Sequence, residues 1–509
     1  MRFDPKIMPI DNLANQLDTI RNNSKKVIVQ CHGVFDLVHI GHIRHFEEAK
    51  SLGDILVVSV TPDSYVNKGT NRPVFSEELR AEAIAALDCV DYVTINQWPT
   101  AVEAISLLKP HIYAKGSDYK NSKEDITGGI KKESDKVSEI GSKIIYTDNI
   151  VFSSSNLINS HLSTYPKSVS KYLANFSATY SSNEIISFLK KAAELKVLVV
   201  GETIIDEYHY CETIGKSGKE PILAAKYLYA QKYPGGILAI ANHIANFCDN
   251  ITTLTMVGED DPQTEFIDEH LNTKVEKIIL SKKQSPTITK RRFVENYQSQ
   301  KLFEIYEIND DDLQPEQDQE LCQKLIDILP KFDIVIVADY GHGMLSNNAV
   351  DILTNNSKIL AVNTQSNAGN RGFNAISRYS MSDFVCLASH EIALEERSRS
   401  GNYKEMMLNV AKKLECKNMI VTLGKNGSLC YDSKKGFFKI PSFGTQVIDT
   451  MGAGDAVLSL TSLCIAQKAP IEITGFIGNI AGAHAVEIMG HSKSIEKIPF
   501  IKHIESLMK

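Results

Sequence analysis

Gly33-Val34-Phe35-Asp36-Leu37-Val38-His39-Ile40-Gly41-His42 stands directly behind the β-branched run Val27 to Gln30, and a helical stretch opens at about Ile40. Strand, glycine turn and helix start form a phosphate-binding geometry, because unpaired N–H groups and the positive helix end converge there. His39 and His42 are three apart on the first turn, so both imidazoles can face one ligand. Two imidazoles donating to an α-phosphate would stabilise the charge that gathers on it during in-line displacement. The bland alternative, capping or core histidines, suits a lone His better than this pair. A metal reading of the pair lacks a third ligand at suitable spacing.

The alternation continues outward from that turn. Ile40 to Leu52 reads as helix, Ile55 to Val60 as strand, Glu77 to Leu87 as helix and Tyr92 to Ile95 as strand, closing near Asn159. Such βαβ units predict a parallel sheet. Residues Thr164 to Ser182 show no strong period and, with a short helix from Asn183 to Leu195, read as a connector. The rhythm restarts with Val197 to Gly201, followed by a polar segment and by strands at Ile334 to Val337, Ile359 to Val362 and Met419 to Thr422. The division expected is an N-terminal extension over 1–24, a first domain over 25–163, a linker over 164–195 and a second domain over 196–509.

Bulk properties agree with a folded protein of this kind. The chain has 509 residues, too many for one ordinary core, with 43% hydrophobic and 23% charged residues. Its 55 basic and 62 acidic side chains leave a net charge of −7, a poor general attractor for nucleic acid or anionic lipid. Any phosphate must therefore be held locally. Nine scattered cysteines without a CxxC pair suit a reducing cytosol rather than a disulfide framework. No apolar h-region opens the sequence and no run approaches a membrane span, so neither export nor insertion is expected.

Further segments supply what transfer of a nucleotidyl group needs. Lys68-Gly69, Arg72-Pro73-Val74 and Arg80 put cations where they can clamp a triphosphate. Lys115-Gly116-Ser117-Asp118-Tyr119 follows the strand His111 to Ala114, hence lies at the carboxyl edge where open α/β sheets bind ligands. Ser153-Ser154-Ser155-Asn156 offers hydroxyls and amides at a second helix start. Taken singly, each is a solvated loop. Together, over about Lys25 to Ser160, they resemble the HxGH cytidylyltransferase-like superfamily, and within it the adenylyltransferase half of the bifunctional heptose 7-phosphate kinase/heptose 1-phosphate adenylyltransferases. The resemblance implies a Rossmann-like domain that joins an NTP to a sugar 1-phosphate or polyol phosphate, with Mg²⁺ and release of pyrophosphate. It implies nucleotide contacts for Gly33, Phe35, Asp36, Gly41, Lys68, Arg72, Arg80, Lys115, Gly116, Asp118, Ser153, Ser154 and Ser155, with His39 and His42 catalytic. Relatives use ATP or CTP, and these motifs do not choose between them.

A second constellation is Asp449-Thr450-Met451-Gly452-Ala453-Gly454-Asp455-Ala456, running into the apolar helix Val457 to Ile465. Gly452, Ala453 and Gly454 can form an anion hole at the helix start, and Asp455 is placed to take a proton from an attacking hydroxyl, helix capping being the alternative. From about Lys196 to Phe500 the chain resembles the ribokinase-type (PfkB) sugar kinases, through Gly201 to Asp206, Pro234-Gly235-Gly236, Thr287 to Lys290, Ala338 to Gly343 and Val421 to Gly427. The resemblance implies a second doubly wound parallel-sheet domain with a small β lid, and a homodimer paired through that lid. It implies a sugar site at Asp206, Gly235 and Gly236, an ATP site along Thr422, Gly424 and Gly427, and an indirect metal role for Glu391. Three departures stand out: Ala239 where the family has Asn, Asn363-Thr364-Gln365 where heptose kinases have Asp-Pro-Lys, and Ala388 where NxxE begins. Either an active kinase of altered substrate or a degenerate kinase fold follows. The whole would be a cytoplasmic enzyme making a nucleotide-activated, ADP-heptose-like sugar, or a CTP-dependent polyol- or sugar-phosphate cytidylyltransferase with a dimerising or sensing module.

Overall fold

The computed structural model describes residues 4–69, 72–116, 129–147, 165–297, 299–399, 401–444 and 446–509. The chain divides into two compact units, Met1–Ser170 together with Ile498–Lys509, and Lys171–Lys497. The second domain therefore does not run to the end of the sequence: the last twelve residues belong to the first unit.

In the first unit, β1 (Ile28–Gly33), β2 (Ile55–Val60), β3 (Tyr92–Ile95), β4 (Ile112–Gly116) and β5 (Lys143–Thr147) form a sheet of order β3-β2-β1-β4-β5 among the described residues. Every neighbouring pair is parallel. The order reverses beside β1, a topological switch point, so the loop after β1 opens onto the crevice where such sheets take ligands. Residues 1–24 are more than an extension. The helix Ile10–Asn23 repeats apolar residues at Ile10, Leu13, Ala14 and Leu17 and packs them on Ile28, Ile55 and Val57.

The second unit is built from β6 (Lys196–Gly201), β7 (Thr203–Lys216), β8 (Leu223–Gly236), β9 (Asn250–Gly258), β10 (Val275–Lys282), β11 (Ile288–Glu295), β12 (Lys301–Glu307), β13 (Ile334–Asp339), β14 (Leu360–Thr364), β15 (Phe384–Ala388), β16 (Asn418–Thr422), β17 (Ser428–Asp432) and β18 (Gly436–Ile440). Its main sheet has the order β10-β9-β6-β13-β14-β15-β16-β17-β18, and a smaller sheet, β12-β11-β7-β8, makes the lid. The polar segment after Gly201 is thus a long lid strand, buried over Thr203–Tyr208 and exposed from Glu212 onward.

Two readings of the connector change. Residues Lys167–Thr179 form a helix whose Val169, Leu173 and Phe176 are buried, and Phe176 stacks on Phe476 at 4.4 Å. The following helix, Ser182–Lys191, is capped by Ser181 and buries Ile185, Ile186 and Leu189. This stretch is packed structure, because its aromatic and aliphatic residues recur at helical spacing among small polar ones.

Candidate active sites

At the end of β1 the chain turns sharply. Phe35 takes a left-handed φ of 49° and lays its ring over Gly33, where a Cβ would stand 2.9 Å from Cζ. Phe35 then meets the His42 ring edge-on at 5.3 Å. His39 caps the helix Ile40–Ser51: its Nδ1 accepts from the Gly41 amide at 3.1 Å, so the neutral ring carries its proton on Nε2. The two imidazoles stack with centroids 4.0 Å apart. Burial, then the neighbouring His39, pulls His42 down to about 3, and burial also lowers His39. Both are neutral donors at pH 7. Nδ1 of His42 is buried without a side-chain partner among the described residues, and the ring also meets the Leu37 backbone.

Several predicted phosphate ligands prove to be scaffold. Asp36 is 1% exposed, pairs with Arg72 at 3.0 Å and accepts from the Val74 and Phe75 amides, fastening the Arg72–Phe75 loop to the turn. Arg80 does not clamp a triphosphate: its buried guanidinium donates to the carbonyls of Phe75, Val34 and Thr61 and to Asp63. Lys115, at the end of β4, pairs with the buried Glu133 at 2.8 Å, because a cation in so dry a place needs a counter-charge. Gly116 ends the same strand, and a Cβ there would meet nothing. Lys68 is half-buried, and burial brings its ammonium down to about 8. His45, one turn beyond His42, bonds Thr147 at 2.8 Å and was not picked out from the sequence. Asp118, Ser153, Ser154 and Ser155 lie outside the described residues.

The second site gathers on the carboxyl edge of the second unit's main sheet. The helix Ala453–Ala466 starts behind Gly452, at φ 78°, with no side-chain cap, and the Cβ position of Gly454 opens onto empty space. Asp455 is therefore no cap. Its Oδ1 accepts from the Tyr340 hydroxyl at 2.9 Å, and burial raises its carboxyl above the ordinary range. His491 Nε2 lies 3.7 Å from Oδ2 of Asp455 and 3.7 Å from Oδ2 of Asp206. Asp206, on β7, pairs with Arg292 and stands in register with Lys290 on β11. Gly235 is bare because a Cβ would overlap the Asp206 carboxylate. Gly236, at φ 55°, leads into the helix Ile237–Ala245. Asp449 ties the site together, accepting from Tyr208, Lys301, Met451 and Gly490. None of Tyr340, His491, Lys290 and Asp449 was assigned a role from the sequence, although Tyr340, Lys290 and Asp449 lie inside the motifs quoted for it.

Thr422 ends β16 on the same edge, in register with Ala388. Gly424, at φ 56°, opens onto empty space, whereas Gly427, at φ 83°, lies against the Ile440 carbonyl where any Cβ would clash. The departures have become internal packing. Ala239 is buried in its helix, and the Asn363 side chain donates to the Cys386 carbonyl at 2.8 Å. Glu391 accepts from the Ala388 and Ser366 amides, and burial lifts it to about 7. That carboxyl serves its own helix start. Among the described residues, no group of three His, Cys, Asp or Glu could hold a metal ion. Nor, among those residues, is any helix long and apolar enough to cross a membrane.

Comparison with known proteins follows the same division. The family described as pfkB family carbohydrate kinase matches residues 194–498, and the cytidylyltransferase-like family matches residues 31–205. The Bifunctional protein HldE of Helicobacter pylori (strain G27) is 44% identical over 131 residues, 25% of this chain and 27% of that protein. Its namesake in Pelobacter propionicus is 43% identical over 118 residues, 23% of this chain and 24% of its own length. The chain thus spans about a quarter of the length of the curated relatives it matches. Among solved structures, phosphofructokinase-2 from Escherichia coli in complex with substrates and products superposes with a TM-score of 0.50 at 14% identity, covering 62% of this chain and 100% of its own. At that identity the likeness establishes the fold alone.

Proposed function

Because the chain belongs to the pfkB family of carbohydrate kinases, we propose that its second unit transfers the γ-phosphoryl group of ATP to a sugar hydroxyl, and that its first unit joins a nucleoside monophosphate to a sugar phosphate. The observation that carries the second activity is the neutral, stacked pair His39 and His42 at the switch point of the first sheet. An oxygen of the sugar phosphate attacks the α-phosphorus of the nucleotide, the bond to the β-phosphate oxygen breaks, and pyrophosphate leaves. The imidazole N–H groups meet the charge gathering on the α-phosphate. In the second unit Asp455 takes the proton of the sugar hydroxyl as its oxygen attacks the γ-phosphorus, and ADP departs. The uncapped helix start at Gly452 to Gly454 receives the transferring group.

The product is a nucleotide-activated sugar of ADP-heptose type for glycan synthesis, formed in the cytoplasm, where nine free cysteines are stable. The name Bifunctional protein, borne by the relatives of the first unit, agrees with two activities in one chain. Mg²⁺ belongs to this chemistry and would arrive with the phosphates of ATP or CTP. A homodimer through the lid is supported by Ile222, Leu223, Tyr227, Tyr229, Phe303 and Ile305, which the lid leaves exposed. The experiment that tests the whole offers the full-length chain a panel of sugars and sugar 1-phosphates with ATP and with CTP. Pyrophosphate, ADP and product mass are then measured. Absence of pyrophosphate release with every acceptor removes the nucleotidyl-transfer assignment.

The internal use of Asn363 and Glu391 favours one alternative: a kinase fold kept as a dimerising or sensing module beside a CTP-dependent transferase. ADP formation no greater in the wild type than in Asp455→Asn would select it.

A further inference from the structure

The loop that carries Lys68 is closed by a segment from the far end of the sequence. The helix Lys497–Leu507, which belongs to the first unit from Ile498 onward, buries Phe500, Ile501, Ile504 and Leu507 along one stripe. His503, 1% exposed, lies so close to Gly69 that a Cβ at that glycine would overlap its ring. Gly69 itself has a φ of 96°, so the loop is shaped to admit the imidazole.

Charge accumulates at the same place. Lys502, the neighbour of His503, acts with Lys509 and Arg72 to repel the Lys68 ammonium, on top of its burial. The carboxylate that opposes them is Asp36, and it is already paired with Arg72. Lys68 in turn acts on His42. Positive charge thus runs from Lys68, beside the neutral stacked imidazoles, to the last helix. Cations gathered around the paired Asp36, at the ligand edge of a parallel sheet, suit a polyanion.

We propose that the helix Ile498–Lys509 is a wall of the nucleotidyl-transfer site, in which His503 seats the Lys68–Gly69 loop and Lys502 presents a cation to the outer phosphates of the bound nucleoside triphosphate. This rests on the nucleotidyl-transfer reading above and adds to it a segment that lies beyond the reach of the first unit's own motifs. His503 is a positioning residue in this scheme, and Lys502 a binding one.

Pyrophosphate release by the full-length chain is followed against nucleotide concentration, with ATP and CTP in turn and a sugar 1-phosphate acceptor. Lys502→Ala raises the nucleotide KM about tenfold with kcat little changed, the loss of one charged contact, and Lys502→Arg recovers most of it. ADP formation by the second unit is unaffected. A double-mutant cycle in thermal unfolding joins Gly69→Ala with His503→Ala: the glycine substitution costs more when the imidazole is present than when it is gone. An unchanged KM in Lys502→Ala, or additive effects in the cycle, overturns the wall. A wild-type chain that releases no pyrophosphate from either nucleotide overturns the nucleotidyl-transfer reading instead.

Discussion

Oδ2 of Asp455 faces Nε2 of His491 across 3.7 Å, while Oδ1 is engaged by the Tyr340 hydroxyl. One oxygen is held by the hydroxyl, and the other is the one that the proposed role as base would use. Burial raises the Asp455 carboxyl, and the His491 charge and the Tyr340 hydrogen bond lower it. Removing the hydroxyl in Tyr340→Phe therefore moves the carboxyl further up. The ionised base is lost as pH falls through its pKa, so the acid limb of the ADP-forming rate moves to higher pH in the variant. An unshifted limb in the pH profile of kcat would contradict this role.

On the proposed role of His42 as a donor to the transferring phosphate, His42→Ala is expected to slow pyrophosphate release by about a hundredfold or more. ADP formation stays at the wild-type level, since the two chemistries use different residues. Parallel assays of both products on one preparation check the prediction, and a drop in both would point to misfolding.

Glycines 452 and 454 should separate cleanly. Gly452→Ala forces a left-handed residue to carry a Cβ against the His491 ring, costing about 1 to 3 kcal/mol and displacing that ring. Gly454→Ala meets no neighbour within 4 Å. Thermal unfolding is expected to fall for the first and to hold for the second, and equal melting temperatures would refute the contrast.

Glu202 is buried, accepts from the Tyr340 and His342 amides, and is lifted to about 7 by burial and by Asp339. A carboxyl whose folded pKa exceeds its unfolded value contributes stability at low pH, and that contribution disappears as pH rises through the folded value. Glu202→Gln has no such dependence. Relative to wild type, the variant should gain in melting temperature between pH 5 and pH 8. A difference that does not change with pH would rule this out.

Arg80→Ala should act on stability rather than on nucleotide affinity. Three carbonyls and Asp63 lose their donor, and about 3 kcal/mol is expected from a buried charge network broken on one side. Denaturant unfolding measures it.

The extent to which these sites were legible follows from how local each signal is. Strands such as Ile55–Val60 and Tyr92–Ile95 could be read to the residue, because a short, largely apolar and β-branched run between turns fits a strand buried in a parallel sheet. The His39 to His42 turn was equally plain, since its geometry depends on residues within one helical turn. Arg80 and Lys115 misled because their partners, Val34 and Thr61 in one case and Glu133 in the other, arrive only through folding. A surface cation and a buried strut have the same letter. His491 reached the second site from a turn after the last motif, held there by the Gly490 amide on Asp449, and no spacing rule foretells that. The helix Lys167–Thr179 was hidden by its Ser, Asn and Ala residues, which dilute the recurrence of Val169, Leu173 and Phe176.

A first unit that borrows residues 498–509 is discontinuous along the chain. During synthesis its sheet can form early, yet it must wait for the entire second unit to leave the ribosome before its last helix is available. Cutting the gene between the two halves would consequently release a truncated first half, missing one side of its own architecture. Supplying that side as a separate peptide is the natural way to complement it.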